Sequence, residues 1–188
     1  GMLNVKYILQ RGQDGAPVAL QNPMANGNAW FVEEIEFKTT ADEEIKALDS
    51  LQTARKAILN KNNVPETLAS SFQRDSTAYI NLTEYKLNYL KYTSSSAFDG
   101  LAVFSEMYYP HGWTVTIDGK EVSHFRANYV LRAMEIPAGT HLIEFRFQPE
   151  VIRRGSTIAI AGSVLILLVF LGALFYSFKQ QKRSAPQQ

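Results

Sequence analysis

Period-two alternation runs through most of the chain. In Trp30–Phe37, Phe31, Glu33, Ile35 and Phe37 share one face and Val32, Glu34 and Glu36 the other. His141–Phe147 sets Ile143, Phe145 and Phe147 against Leu142, Glu144 and Arg146, the pattern of a strand with one buried face. Leu3–Leu9, Ala78–Leu90, Leu101–Tyr109, Thr114–Ile117, Glu121–Phe125 and Leu131–Ile136 are also rich in β-branched, aromatic and aliphatic residues and read as strands. Asp118-Gly119 predicts a type I′ hairpin turn, and Pro137-Ala138-Gly139 a second tight reversal. Ser94-Ser95-Ser96 reads as a loop.

Two stretches keep helical period instead. Thr40 with Glu43 forms a capping box ahead of Ile45, Leu48 and Leu51. A second short helix is expected over Pro65–Phe72, with Pro65 in its first turn. Strands with one or two helices near the start assemble naturally as a β-sandwich.

The pattern changes at Ser156. From there to Phe178 run 23 residues without a charge, and a helix of that length spans about 35 Å, enough for a hydrocarbon core of about 30 Å. Arg153 and Arg154 flank one end, and Lys179, Lys182 and Arg183 the other. Tyr176 and Phe178 stand where an aromatic belt would lie, and the basic excess favours a cytoplasmic C-terminus. The organisation expected is a mostly β, β-sandwich-like extracytoplasmic domain over residues 1–155, a transmembrane helix over 156–178 and a short basic cytoplasmic tail over 179–188. Gly1–Leu9 lacks the basic n-region and length of a signal peptide, so the expectation is a piece of a larger membrane protein whose earlier helices carry it across the bilayer.

Charge sharpens this picture. Residues 1–155 hold sixteen Lys/Arg and all eighteen Asp/Glu, a net of −2, which is no footprint for nucleic acid. The chain has no cysteine, which excludes disulfides, thiolate chemistry and Cys-ligated metal. His111, His124 and His141 lack ligand spacing and read as surface residues, so no metal and no cofactor is expected. Ser105, His111 and Asp118 have triad residue types but no nucleophile elbow, and Asp118 is explained by its turn. Glu33-Glu34 lies along a strand, and Asp42-Glu43-Glu44 sits in a helix's first turn, where acids favour the dipole.

The densest chemistry lies in Phe104–Trp113. Tyr108, Tyr109 and Trp113 either plug the end of the core or stack on sugar faces at the rim of the sandwich. Arg126, Arg132 and Arg146 either pair with Glu106, Glu135 or Glu144 or bind an anion such as a phosphate. Tyr108, Tyr109, Trp113, Glu106, Arg126 and Arg132 are therefore the candidate ligand-binding residues, with no catalytic residue among them.

Six spaced blocks carry a resemblance. Asn4-Val5-Lys6-Tyr7, Gly27–Val32, Phe104–Pro110, Gly112-Trp113, Ile117–Lys120 and Pro137–His141, followed by the apolar helix, resemble the C-terminal region of YfhO-like bacterial multi-pass membrane proteins. His111 departs from the family's tighter Pro-Gly-Trp form. The family looks like the GT-C glycosyltransferases, which take sugars from polyprenyl-phosphate carriers and hold the catalytic acid in a loop near the N-terminus. The resemblance thus implies an accessory role beside an active site elsewhere, in the bacterial inner membrane with the domain facing the periplasm or exterior. The implied partners are the lipid bilayer, the parent protein's membrane helices and a glycan. A purely structural membrane-anchored module is the alternative.

The full chain is expected to need detergent or lipid, whereas truncation after about Glu150 gives a soluble folded domain, checked by size exclusion with and without detergent. A monodisperse, detergent-free full-length monomer would refute the membrane assignment.

Overall fold

A computed structural model describes residues 1–12 and 15–183, in two units, Gly1–Phe147 and a second beginning at Gln148. The first unit is β-rich. Its strands are β1 (Tyr7–Arg11), β2 (Pro17–Gln21), β3 (Ala29–Val32), β4 (Glu34–Lys38), β5 (Lys56–Asn60), β6 (Tyr79–Lys86), β7 (Tyr89–Ser96), β8 (Gly100–Met107), β9 (Trp113–Ile117), β10 (Lys120–Val122), β11 (Phe125–Ala127), β12 (Leu131–Ile136) and β13 (Gly139–Phe147). One helix, α1 (Ala41–Leu48), interrupts them, and β1 and β2 form a separate hairpin.

The other strands make two sheets, ordered β10-β9-β13-β7-β6 and β3-β8-β12-β11-β5-β4. In the larger sheet, β3 and β4 are opposite edges, yet Glu33 alone separates them in sequence. Laid flat, six strands would put the edges about 24 Å apart, while two residue steps reach about 7 Å. The sheet therefore curls until its edges meet. Trp30, Val32, Ile35, Ala57, Leu59, Leu101, Val103, Phe125, Ala127, Leu131 and Ala133 line the inside with Leu68. The other face supplies Ala29, Ala102, Phe104, Met134 and Ile136, which pack on Ile80, Leu90, Tyr92, Val115, Ile117, Ile143 and Phe145 of the smaller sheet.

The seam explains two departures from the expected elements. Trp30–Phe37 is two strands, because the break at Glu33 resets the alternation and puts Trp30, Val32 and Ile35 on one side. Pro65–Phe72 is not a helix. Its backbone is drawn into the seam, where Ile35 N–H donates to Ser70 O at 2.9 Å and Phe72 N–H to Glu33 O at 2.8 Å. The ion pairs Arg55–Glu33 and Lys56–Glu34, both at 2.8 Å, use the acids expected along this strand.

Other boundaries moved for local reasons. Ala78–Leu90 contains a reversal at Leu87-Asn88, which joins β6 to β7 without a glycine. Ser94-Ser95-Ser96 lies within β7, with Ser94 and Ser95 paired on both sides, and Ser94 is buried. The first strand starts at Tyr7, after a turn with Asn4 at φ 51°. Glu121–Phe125 is divided between β10 and β11. Pro137-Ala138 does not close a hairpin, since β12 and β13 belong to different sheets.

The Thr40 capping box is present, with Glu43 N–H donating to Thr40 Oγ1 at 3.3 Å and Glu43 Oε2 accepting from Thr40 N–H at 3.2 Å. The helix it opens does not bury its apolar stripe. Ile45 is exposed, and Glu44 is the buried residue.

The second unit is helix α2 (Glu150–Arg183), which begins ahead of the uncharged run. It is long and apolar enough to cross a membrane, and the side chains from Glu150 to Tyr176 are exposed. Within it, Thr157 and Ser163 donate their hydroxyls to the carbonyls of Arg153 and Ala159, which satisfies them without water. Lys179 and the residues to Arg183 continue the helix; the side chain of Phe178 and the tail expected over Ser184–Gln188 lie outside the described residues.

Asp118-Gly119 forms the two-residue turn between β9 and β10, with φ of 51° and 79°. A Cβ on Gly119 would meet nothing within 4 Å, so only backbone strain opposes substitution. Gly119→Val is expected to destabilise the domain by on the order of 1 kcal/mol, measured by urea unfolding of the truncated domain.

Candidate functional site

The candidate residues gather where β8, β9, β12 and β13 meet at one end of the domain. The cause is a bulge. Arg132 stands opposite Phe104 but Leu131 opposite Met107, so Ser105 and Glu106 are extra residues in β8. The bulge frees Met107 O to accept a hydrogen bond from Arg132 Nε at 2.9 Å. Ser105 is turned to the N-terminal segment, its N–H donating to Asn28 O at 2.8 Å and its hydroxyl to Met2 O at 2.9 Å.

Arg132 is only 3% exposed. Its guanidinium lies 4.0 Å from the Trp113 ring centroid and 5.4 Å from that of Phe145, stacked as a cation on π faces. Its Nη1 has no hydrogen-bond partner. Burial weakens its hold on its proton, and the nearby Glu106 acts against that; burial likewise raises the Glu106 carboxyl above its usual range, with Arg132 opposing. Glu106 and Arg132 thus influence each other through space, without the contact ion pair that the sequence offered. Arg146 pairs with Glu144 at 3.0 Å.

Arg126 belongs to a second cluster. Its Nη2 lies 3.2 Å and 3.3 Å from the oxygens of Glu44, which also accepts from Asn60 Nδ2 at 2.7 Å. Glu44, read in the sequence as a solvated first-turn acid, is the buried counter-ion of Arg126. The guanidinium lies 5.3 Å from the Tyr129 ring, and its Nε has no partner.

Tyr129 sits in a strained turn. Asn128 and Tyr129 have φ of 48° and 69°, and Val130 N–H donates to Asn128 O at 2.8 Å, a γ-turn centred on Tyr129. Asn128 anchors it by exchanging bonds with Ile58: its backbone N–H donates to Ile58 O and its Oδ1 accepts from Ile58 N–H, both at 2.8 Å. Tyr108 N–H donates to Val130 O at 2.7 Å, tying the end of β8 to this turn. A groove of about 520 Å³ results, lined by Asn63, Met107, Tyr108, Pro110, Arg126, Tyr129 and Val130. Strain of this kind collects at binding sites. Glu44 is legible in the sequence only as a first-turn acid, and Tyr129 not at all; the αL tolerance of Asn128 is the available hint.

The three aromatic candidates separate. Tyr109 is 51% exposed and meets His111 at 5.7 Å and Phe147 at 6.4 Å, ring to ring. Trp113 is half-buried between Arg132 and Phe147. Tyr108 is half-buried and meets the His124 ring at 5.4 Å. Tyr108 and Arg126 therefore share the groove, while Trp113, Arg132 and Glu106 lie outside its lining, beside the bulge. Asp118 lies at the far end of β9, where it accepts from Leu142 N–H at 2.8 Å and pairs with His141 at 2.6 Å, so the triad types of Ser105, His111 and Asp118 are not assembled. Among the described residues no group of three or more His, Cys, Asp or Glu side chains is placed to hold a metal.

His124, expected at the surface, is largely enclosed and its Nε2 has no partner. Burial holds it neutral, lowering its pKa to about 4, with the Arg132 charge adding to the effect. Below pH 6.5 the unfolded chain binds the proton that the folded one refuses, so stability falls as pH drops from 6.5 toward 4. His124→Phe is expected to remove this share of the acid loss, on the order of 3 kcal/mol by pH 4. Urea unfolding of both proteins at pH 7, 5.5 and 4 measures it; an unchanged difference between them across that range would refute the buried neutral state.

Residues 39–159, more than half of the chain, match the family described as bacterial membrane protein YfhO. No curated protein and no solved structure matches the chain. The matched span runs from the helix cap through the bulge, the γ-turn and the last strand into the apolar helix. The chain belongs to the YfhO family of bacterial membrane proteins.

Proposed function

We propose that this chain is a non-catalytic, extracytoplasmic accessory domain of an inner-membrane protein that uses polyprenyl-phosphate-linked sugars, and that its groove contacts the acceptor glycan. The observation that carries the reading is the groove itself: two tyrosine rings, Tyr108 and Tyr129, beside the guanidinium of Arg126. Rings of this kind stack on the apolar faces of sugars, and the guanidinium suits a phosphate or carboxylate on one. Membrane location follows from the family and from α2. The orientation rests on the basic cluster Lys179, Lys182 and Arg183, which favours the cytoplasmic side for the C-terminus. The catalytic acid is assigned by the family resemblance to a loop near the parent's N-terminus.

A structural role has its own support. Trp113, Arg132 and Phe147 are committed to closing the end of the core, and nothing about their stack requires a ligand. The two readings share the domain between them: the Trp113–Arg132–Phe147 stack holds the fold and the groove binds.

Titrating the domain with neutral and phosphorylated oligosaccharides, followed by NMR, is expected to shift Tyr108, Arg126 and Tyr129 with millimolar affinity. One ring contact contributes about 0.5–1.5 kcal/mol, so Tyr129→Asn, which keeps a residue tolerant of positive φ, should weaken binding roughly two- to tenfold. No glycosidic substrate should be turned over. Shifts confined to other surfaces would reject the groove, and turnover by the purified chain would reject the accessory role.

A further inference from the structure

The β1–β2 hairpin is the least explained part of the molecule. All ten of its strand residues are exposed, although Tyr7, Ile8, Leu9, Val18, Ala19 and Leu20 are apolar or aromatic. The register pairs Ile8 with Leu20 and Gln10 with Val18 on one face, and Leu9 with Ala19 on the other beside Tyr7. Both faces are therefore apolar at their centre, and Leu9 is 73% exposed. A two-stranded hairpin without a packed face is marginal in water, so something covers this one.

Its root shows where. Asn22 N–H donates to Lys6 O at 2.8 Å, and Asn4 Nδ2 to Asn28 Oδ1 at 2.7 Å. Asn28 O in turn holds Ser105 of the β8 bulge. The hairpin thus springs from the end of the domain at which β13 stops at Phe147, and only Gln148 and Pro149 separate that residue from α2 in sequence. Exposed Met107 and Tyr109 lie on the same end. Lys6 and Arg11 are basic, and the sole acid in the sequence of residues 1–22 is Asp14.

We propose that the β1–β2 hairpin lies in the headgroup layer of an anionic bilayer. Lipid covers both apolar faces at once, whereas a second copy pairing along a strand edge would leave both faces wet. At that depth, about 5–10 Å into the boundary between headgroups and acyl chains, water still reaches the strand edges, and Lys6 and Arg11 meet lipid phosphates. The proposal rests on α2 crossing the membrane.

The chain lacks cysteine, so Leu9→Cys and Leu20→Cys can each carry a single environment-sensitive fluorophore in the full-length protein. The variants are reconstituted into phosphatidylcholine–phosphatidylglycerol vesicles containing lipid spin-labelled near the headgroup and, separately, deeper in the acyl chain. Lys120→Cys, at the start of β10 just past the Asp118-Gly119 turn, serves as the water-exposed control, and Leu167→Cys as the control within α2. The expected result is loss of most fluorescence at positions 9 and 20 to the shallow label, none at 120, and loss at 167 to the deep label. Quenching at 167 with positions 9 and 20 unquenched would overturn the hairpin proposal while leaving the anchor intact. Blue-shifted but unquenched emission at 9 or 20 would also overturn it, in favour of a protein partner. An unquenched label at 167 would overturn both.

Discussion

The single residue between β3 and β4 governs the domain. Because Glu33 joins the two outer strands of a six-stranded ladder, that ladder must close on itself, and closure creates an inside for Trp30, Leu59, Val103 and Leu131. The outer face then has curvature and apolar residues to offer the second sheet, and the two cores share the strands β8 and β12 between them. The outer side of β4 is met in turn by the backbone of Ser70–Phe72, which bonds to Glu33 and Ile35. The acids at the seam take up Arg55, Arg74 and Lys56, so the charges that make this strand look amphipathic on both faces hold the closure in place.

The site follows from the same frame. A closed, tightly registered ladder has little room for extra residues, so the two that β8 inserts are expelled at its end. There they free a carbonyl, that of Met107, for the guanidinium of Arg132. Arg132 is buried without an ion-pair partner in contact, compensated by aromatic faces and one carbonyl, while Arg126 a short way along has a carboxylate of its own. Two cations of similar sequence context thus have opposite solutions. One is fixed by π faces at the end of the core, and the other is neutralised where it lines a groove.

Local signals in the sequence were readable where one residue pair decides a conformation. Asp118-Gly119 demands positive φ, Thr40 with Glu43 caps a helix, and the uncharged run from Ser156 is a helix by length alone. The β8–Trp113 stretch was identifiable as the place where aromatic and charged residues concentrate, and the family could be read from spaced blocks. Long-range outcomes were not readable. The helical expectation at Pro65–Phe72 lost to backbone pairing across the seam, and the serine run became a central strand because its neighbours on both sides supply the ladder. Glu44 looked like a dipole-stabilising surface acid until α1 docked beside β5 and brought it to Asn60 and Arg126. In each case the deciding partners lie fourteen or more residues away.

The seam also sets a timetable. Val32 pairs with Leu101, about seventy residues further along the chain. Synthesis at roughly 5–20 residues per second leaves β3, with Trp30 and Val32, waiting roughly 4–14 s for the strand that covers it. No partial ladder made from the earlier residues can close, because its missing middle, β8, β12 and β11, is made later. Folding of this domain is therefore a concerted, late event of high contact order, and the nascent chain must be kept from pairing with others until β12 has emerged.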